Sequence, residues 1–348
     1  MVLPDDMIAT AHALAAPGKG ILAADESTPT MAKRFGAIGV ESTEARRRGY
    51  RELLFGTPGL GKFISGVILF DETVRQRADD GTPLIDLLCR QDVVPGIKVD
   101  RGTTPLAGCP GEVITEGLDG LGARLAEYAS MGLRFAKWRA VLRIGEGLPT
   151  PTSLESHAHA LARYAALAQQ AGLVPIVEPE VLMDGAHPIE RCAEVTVATL
   201  RAVYDQLARH RVVLEASLLK PNMVLPGKDC PDRADPDRIA AATIGVLRQA
   251  VPAAVPGIMF LSGGMSDLEA TANLDALNRH GRQPWELSFS FGRALQAPVL
   301  RAWAGDDAHR DAARGALTHR AAMNGAARRG HYHAALERGA APLIGVDG

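Results

Sequence analysis

Short apolar runs and longer amphipathic stretches alternate along most of the chain. The apolar runs are rich in β-branched and aromatic residues, a pattern typical of strands that are buried on both faces. The stretches between them carry apolar residues at helical spacing. The pattern predicts eight strands, at 20–25, 63–70, 96–100, 135–142, 173–180, 212–220, 257–264 and 287–292.

Helical segments separate these strands. They are predicted at 5–16, 42–56, 83–91, 120–131, 152–172, 189–210, 235–250, 266–281 and from Arg293 onward. Eight strand–helix units in series favour an α/β fold, a single (β/α)₈ TIM barrel, over an open sheet. We therefore expect one domain over residues 1–348, with an N-terminal helix within 1–17. The Ala- and Arg-rich extension at about 319–348 offers no clear pattern and is expected to be mobile.

Three helix starts carry recognisable capping signals. Thr152 and Glu155 have the spacing of a capping box, and so do Ser266 and Glu269. Asp235 combines an N-cap residue with a proline at the first helical position. These signals predict where the corresponding helices begin.

Composition narrows the classes of protein that fit. The chain has 47% hydrophobic residues and a net charge of −2, with acids and bases interspersed, which argues against a general nucleic-acid or membrane-surface protein. The four cysteines form no CxxC pair, which favours a reduced, cytoplasmic protein. No basic, apolar leader precedes the first strand, and no apolar run is long enough to span a bilayer.

Charged or small polar residues stand at the carboxyl end of nearly every predicted strand. In a (β/α)₈ barrel those ends converge on one face. Residues two apart on a strand share a side, so three of the strands contribute a pair. The candidates are Asp25, Lys98, Asp100, Lys137, Arg139, Glu178, Glu180, Lys220, Ser262, Gly263, Gly292 and Arg293. Together they predict a polar pocket filled with acids and bases.

Lys220 ends a buried strand and is followed by proline. Burial favours the neutral amine, which is the form that attacks a carbonyl to make a Schiff base. By itself this stretch fits better with a lysine that extends from the strand end to solvent. The other strand ends reverse that preference, because Glu178 can shuttle protons and Lys137 can assist the loss of water from a carbinolamine.

Two adjacent strand ends suit a phosphate group. Ser262 and Gly263 end the seventh strand, and Gly292 and Arg293 end the eighth. Glycines let backbone N–H groups approach the anion, and an arginine can bind two of its oxygens. Phosphate sites of barrel enzymes often lie after these two strands.

The same residues carry a family resemblance. From about residue 18 to 305 the chain resembles class I fructose-bisphosphate aldolases. The matching motifs are GKGILAADES at 18–27, GIKVD at 96–100, FAKWR at 135–139, IVEPE at 176–180, LLKPNM at 218–223, FLSGG at 260–264 and FGRALQ at 291–296. Taken in order, these motifs are highly specific.

The resemblance implies a role for each candidate. Lys220 would form the imine with the ketose C2 or with dihydroxyacetone phosphate, Glu178 would shuttle protons, and Lys137 would assist carbinolamine breakdown. Asp25 would take the C4 hydroxyl proton, and Glu180 completes the catalytic candidates. The 1-phosphate set would be Ser262, Gly263, Gly292 and Arg293, and the 6-phosphate set Ser27, Lys98 and nearby Arg139.

The resemblance also implies the reaction. It would be a reversible, metal-independent and cofactor-free cleavage of fructose 1,6-bisphosphate into two triose phosphates, in glycolysis and gluconeogenesis. The family is usually homotetrameric. Three departures leave phosphate preference and the late proton transfer open: Pro29-Thr30 replaces Gly-Ser, Phe291 replaces tyrosine, and the chain ends without the usual terminal tyrosine.

Several alternatives compete with this interpretation. Another Schiff-base aldolase or transaldolase, acting for instance on sedoheptulose bisphosphate or deoxyribose phosphate, would use the same residues. A scaffold barrel without activity is a rival from another class, disfavoured by the intact catalytic set. The loop at 56–62 resembles a P-loop but is followed by Phe63 and precedes a strand. A metal-dependent aldolase would need clustered histidines, whereas His157 and His159 face different sides of their predicted helix.

Overall fold

A closed barrel of parallel strands forms the centre of the molecule. The computed structural model describes residues 4–338. The barrel strands are β1 (Gly20–Ala23), β2 (Ile64–Leu69), β3 (Val94–Lys98), β6 (Phe135–Leu142), β7 (Val174–Val181), β8 (Leu218–Leu219), β9 (Gly257–Phe260) and β10 (Glu286–Phe291), and a separate hairpin is made by β4 (Thr103–Pro105) and β5 (Val113–Thr115). Neighbours around the barrel follow the order β1-β10-β9-β8-β7-β6-β3-β2. The predicted (β/α)₈ barrel is confirmed.

Helices surround the barrel and supply the second layer of the core. Within residues 4–338 the α-helices are α1 (Pro4–Leu14), α2 (Thr28–Gly36), α3 (Glu44–Phe55), α4 (Asp71–Val74), α5 (Leu84–Cys89), α6 (Leu121–Ser130), α7 (Pro151–Gln170), α8 (Ile189–Arg209), α9 (Pro236–Ala250), α10 (Asp267–Arg279), α11 (Arg293–Trp303) and α12 (Arg310–Ala327). Each strand packs apolar side chains against these helices. No helix in this part of the chain is long and apolar enough to cross a membrane.

Strand β6 illustrates how the alternation of side chains positions the site. Trp138 faces outward and stacks on Tyr164 of α7, with ring centroids 5.7 Å apart. Lys137 and Arg139, one residue to either side, both line the cavity inside the barrel mouth. Successive side chains of a strand point to opposite faces. The packing of Trp138 on the outer face therefore fixes the direction of Lys137 and Arg139 on the inner face.

The prediction of a strand at 212–220 is wrong for its first half. Strand β8 contains only Leu218 and Leu219, and Leu214–Ala216 forms a 3₁₀ turn. The side chain of Gln169 accepts a hydrogen bond from the Val213 N–H at 2.9 Å and donates one to the Val213 carbonyl at 2.8 Å. Because this side chain satisfies both backbone groups, Val213 has no need of a neighbouring strand.

Two of the three predicted helix caps are confirmed. Ser266 and Glu269 form a reciprocal capping box, and the Asp235 carboxylate accepts from the Arg238 N–H at 2.8 Å. The third is wrong, because α7 begins earlier and its N-cap is Thr150, whose hydroxyl accepts from the Ser153 N–H. Pro151 follows this cap, and its fixed φ at the first helical position favours the earlier start.

Helix α1 closes the end of the barrel opposite the strand carboxyl ends. Its residues Met7, Ala11 and Leu14 pack in one apolar cluster with Phe135 of β6 and Met259 of β9. The approach is close at Gly66 of β2, where a Cβ atom would stand 2.5 Å from Leu14 Cδ2. Glycine at this position thus permits the helix to sit directly on the barrel floor.

The C-terminal extension is partly built into the fold. Helix α12 packs against α10 and α11, and Arg320 and Asn324 on it are buried. Beyond it, Glu337 accepts hydrogen bonds from Arg320 at 2.6 Å and from the Tyr332 hydroxyl at 2.9 Å. Residues 319–338 are therefore packed against the outer helices, and the mobility of the extension stays a prediction. Residues 339–348, including the end that lacks a tyrosine, lie outside the described part.

Candidate active site

The twelve strand-end residues predicted above, together with Ser27, line one cavity at the carboxyl ends of the strands. Its volume is about 360 Å³. A larger cavity of about 690 Å³ lies between α9, α10 and the C-terminal segment. We place the site in the smaller cavity, because the larger one is lined mostly by apolar groups and contains none of the twelve. The barrel thus brings together residues from 25 to 293 as predicted, and their individual roles remain predictions.

Four charged side chains form an alternating series across the cavity. Lys220 Nζ lies 3.3 Å from Glu178 Oε1, and Lys137 Nζ lies 3.1 Å from Glu178 Oε2. Lys137 also contacts Asp25 Oδ2 at 2.7 Å. Lys220, Glu178 and Lys137 are 4%, 3% and 3% exposed. Each buried charge thus has an opposite charge beside it, which offsets the loss of hydration.

The protonation states at one end of this series follow from its geometry. Burial favours the protonated form of Asp25, but the charges of Lys137, Lys220 and Lys98 together hold its pKa well below the usual range. Burial likewise disfavours charge on Lys137, and its carboxylate neighbours Asp25 and Glu178 outweigh that effect and raise its pKa. Asp25 is therefore ionised and Lys137 protonated near neutral pH.

A second layer of ion pairs lines the neighbouring strand ends. Arg139 Nε lies 2.5 Å from Glu180 Oε2, and Lys98 Nζ lies 2.8 Å from Asp100 Oδ1. Burial disfavours the charged form of Arg139, but the Glu180 carboxylate outweighs this effect and raises the pKa of Arg139. The Arg139–Glu180 pair joins β6 and β7, whereas Lys98 and Asp100 both stand at the end of β3. The register of the three strands sets Lys98 beside Lys137 and Arg139 beside Glu178.

The opposite wall contains an arginine and two glycines. Ser262 and Gly263 follow β9, and Gly292 and Arg293 stand where β10 gives way to α11. A Cβ atom at Gly263 would stand 3.0 Å from Glu180 Oε1, so glycine at this position leaves room for that carboxylate. Arg293 is exposed and has no ion pair among residues 4–338. A cation without an ion pair among the described residues, next to a serine hydroxyl and two glycines, is suited to an anion.

A buried network that the sequence patterns did not predict lies behind this wall. The carboxylate of Glu26 accepts from Arg51 at 2.6 Å, from Gln296 at 2.8 Å and also from Arg34. Glu26 and Arg34 both line the cavity. The position of Glu26 between Asp25 and Ser27, at a strand end, could have indicated that it lies at the site. Its partners could not be predicted, because they lie as far away as residue 296 in the sequence.

Two hydroxyl groups complete the cavity wall. Thr30 lies within 3.1 Å of the Ser27 hydroxyl, so the departure at 29–30 keeps a hydroxyl beside Ser27. Ser290 is buried, and its hydroxyl has no hydrogen-bond partner among the described residues. Ser290 stands between two phenylalanines on its strand. Because side chains alternate between the two faces of a strand, this pattern indicates that Ser290 faces inward.

Comparisons with known proteins give the family of the chain. Residues 6–342 match the sequence model of the family described as "Glycolytic: Fructose-bisphosphate aldolase class-I". The chain is 55% identical to a probable fructose-bisphosphate aldolase class 1 of Xanthomonas axonopodis pv. citri, over 87% of this chain and 90% of the relative. It is 52% identical to the cytosolic fructose-bisphosphate aldolase 4 of Arabidopsis thaliana, over 98% of this chain and 88% of the relative.

A solved structure gives the same result at the level of the fold. Fructose-bisphosphate aldolase from Plasmodium falciparum, in complex with TRAP and a small-molecule inhibitor, superposes with a TM-score of 0.94. It is 49% identical, and the match covers 95% of this chain and 96% of that one. The family match, the relatives and this structure agree: the chain belongs to the class I fructose-bisphosphate aldolase family and is a lyase.

Proposed function

We propose that this aldolase cleaves fructose 1,6-bisphosphate through an imine on Lys220. The observation that carries the proposal is the contact of buried Lys220 with Glu178, at 3.3 Å, inside the alternating charge series. An amine that attacks a carbonyl needs a neighbouring group to accept and return protons. Glu178 lies between two lysines and is suited to that exchange.

The steps follow from the positions of the four charged groups. Lys220 Nζ attacks the C2 carbonyl, and the carbinolamine loses water, with Glu178 and Lys137 supplying protons, to give a protonated imine. Asp25, held ionised by Lys137, accepts the C4 hydroxyl proton as the C3–C4 bond breaks. The bonding electrons move into the enamine, and glyceraldehyde 3-phosphate leaves. Protonation at C3 and hydrolysis of the imine then release dihydroxyacetone phosphate and restore Lys220.

The two ends of the cavity support the placement of the phosphates. The wall with Ser262, Gly263, Gly292 and Arg293 receives the 1-phosphate in this proposal, because Arg293 has no ion pair with any residue that the structure describes. Ser27, Lys98 and Arg139, across the cavity, receive the 6-phosphate, with Thr30 adding a hydroxyl. Glu180 holds Arg139 in position at 2.5 Å.

Arg293→Ala is expected to raise KM for fructose 1,6-bisphosphate by roughly ten- to a hundredfold, because a charge-assisted pair with a phosphate contributes about 1.5–3 kcal/mol. Steady-state kinetics with a triose phosphate assay measures this. Arg301→Ala, an exposed arginine on the same helix, is the matched control and should leave KM unchanged. An unchanged KM in Arg293→Ala would assign the 1-phosphate to other residues.

Activity is expected to survive a metal chelator. In the proposed reaction the protonated imine on Lys220 accepts the electrons of the C3–C4 bond, a task that some enzymes give to a metal ion. Incubation with EDTA followed by the cleavage assay checks this, with a zinc-dependent aldolase treated in parallel as the positive control. Inhibition that zinc reverses would contradict the imine mechanism.

The assembly and location are proposed from the family. The usual homotetramer is proposed here, and a molar mass of about four chains in solution would support it. The relatives named cytosolic in Arabidopsis thaliana support a cytoplasmic location. The small-molecule partners are then the sugar bisphosphate and its two triose phosphate products.

A further inference from the structure

Strand β8 ends just before Lys220, the proposed nucleophile. It contains only two residues, and the Lys220 N–H adds one more hydrogen bond to β7, with the Val177 carbonyl at 2.8 Å. Residues 221–227 then follow without helix or strand structure, although all of them are buried. The backbone around Lys220 therefore depends on other contacts to hold it beside β7.

A proline on β7 interrupts the strand pairing opposite Lys220. Val177 pairs with Leu219 in parallel register, so the next hydrogen bond of the ladder would run from the N–H of residue 179 to the Lys220 carbonyl. Residue 179 is proline and has no N–H group to donate. The ladder is therefore broken at the point where the nucleophile stands.

The side chain of Asn222 restores the connection. In the same register the Val181 N–H would donate to the backbone carbonyl of residue 222. It donates instead to the side-chain oxygen of Asn222, at 3.0 Å. The Asn222 amide nitrogen donates to the Met223 carbonyl at 3.0 Å and to Thr196 Oγ1 of α8 at 3.4 Å. Asn222 is 2% exposed, and both of its polar side-chain atoms thus have partners.

Lys220 therefore lies between two attachments to β7. One is its own N–H on the Val177 carbonyl, and the other is the Asn222 side chain on the Val181 N–H. Glu178 belongs to the same segment of β7, and its Oε1 lies 3.3 Å from Lys220 Nζ. The two attachments together set the distance between the amine and its proton acceptor.

We infer that Asn222 is a positioning residue for the aldol reaction, which fixes the backbone of Lys220 against β7 and so keeps the amine within reach of Glu178. The inference rests on the proposed function, in which Lys220 forms the imine. Asn222 does not line the active-site cavity, so it acts through Lys220 and not on the substrate.

Asn222→Ala is expected to slow imine formation, followed as borohydride trapping with dihydroxyacetone phosphate, by about 10- to 100-fold, because a displacement of about 1 Å at a reacting group costs that much. The kcat for fructose 1,6-bisphosphate should fall by a similar factor. A hexitol 1,6-bisphosphate, which has no carbonyl to attack, should bind less than about threefold more weakly by calorimetry, since its phosphates are held at other strand ends. Lower stability alone would not separate these measurements in the folded variant.

Two further variants are matched to this one. Thr243→Val removes a contact of the same kind in the same buried segment, the 2.9 Å hydrogen bond that the Thr243 hydroxyl accepts from the Val224 N–H. It should lower stability but leave the trapping rate unchanged, because Val224 lies beyond the attachment to β7. Asn222→Asp keeps an acceptor oxygen for the Val181 N–H and should form the imine faster than Asn222→Ala.

Several outcomes would overturn the inference. Trapping of folded Asn222→Ala at the wild-type rate would show that the attachment does not position Lys220. Equal slowing in Asn222→Ala and Thr243→Val would assign the effect to the stability of the whole segment. Should Asn222→Ala yield no folded protein, Asn222→Ser, whose shorter side chain withdraws the acceptor from the Val181 N–H, is measured in the same way. Absence of trapping at Lys220 in the wild-type protein would contradict the proposed function itself.

Discussion

Lys220→Met should abolish triose phosphate release, with kcat lowered by at least about 10⁴-fold, since the variant has no amine to form the imine. Methionine keeps the length and apolar stem of lysine, so the buried position stays filled. In wild-type protein, borohydride added with dihydroxyacetone phosphate should inactivate the enzyme covalently. Mass spectrometry of peptides should find the adduct on Lys220.

The matched control for this variant is Lys228→Met. Lys228 lies on the next loop, is half exposed and pairs with Asp184 at 2.9 Å. Its loss should leave both cleavage and borohydride trapping intact. An adduct on Lys137 or Lys98, or substantial cleavage by Lys220→Met, would assign the imine to another residue and refute the proposed mechanism.

Lys137→Met should lower kcat by roughly 10²- to 10³-fold, within the usual contribution of a positioned proton-transfer group. The substitution removes the cation between Asp25 and Glu178, whose carboxylate oxygens lie 2.7 and 3.1 Å from Lys137 Nζ. Burial, which favours protonated Asp25, is then opposed by less positive charge, so the pKa of Asp25 should rise from its low wild-type position. Cleavage requires ionised Asp25 in our proposal. The acid limb of the kcat–pH profile should therefore move to higher pH.

The pH profile distinguishes this role from a structural one. A variant that was only less stable would lose activity in proportion to the unfolded fraction, and the acid limb of the folded protein would not move. Lys137→Arg, which keeps the charge, should retain the wild-type acid limb even if its geometry lowers kcat. The profile of Lys137→Met is measured at a temperature below its thermal unfolding transition. If its acid limb does not shift, Lys137 does not keep Asp25 ionised.

The site could be predicted well because it depends on local rules. Alternation along a strand fixes which side chains face inward, and a closed barrel brings the strand ends together. Lys137 and Arg139 were placed on one face from spacing alone. The same reasoning found residues at seven different strand ends, because each needs only its own strand to be recognised.

The parts that were missed depend on contacts distant in sequence. The backbone of Val213 is satisfied by Gln169, a side chain of α7 that lies 44 residues earlier, and a 3₁₀ turn at Leu214–Ala216 takes the place of the predicted strand. The buried partners of Glu26 come from α3 and α11. Neither contact leaves a periodic pattern.

The helix on the barrel floor has a consequence for synthesis of the chain on the ribosome. Helix α1 is among the first segments to emerge, yet its cluster includes Met259, roughly 240 residues later, or on the order of 10 to 50 s of translation. Strand β10, which pairs with β1, is synthesised later still. Nascent chains arrested before β9 should therefore expose the apolar face of α1 and bind chaperones that recognise such surfaces, and chains released after β10 should not. Equal capture of both lengths in a pull-down would show that the helix finds its place earlier.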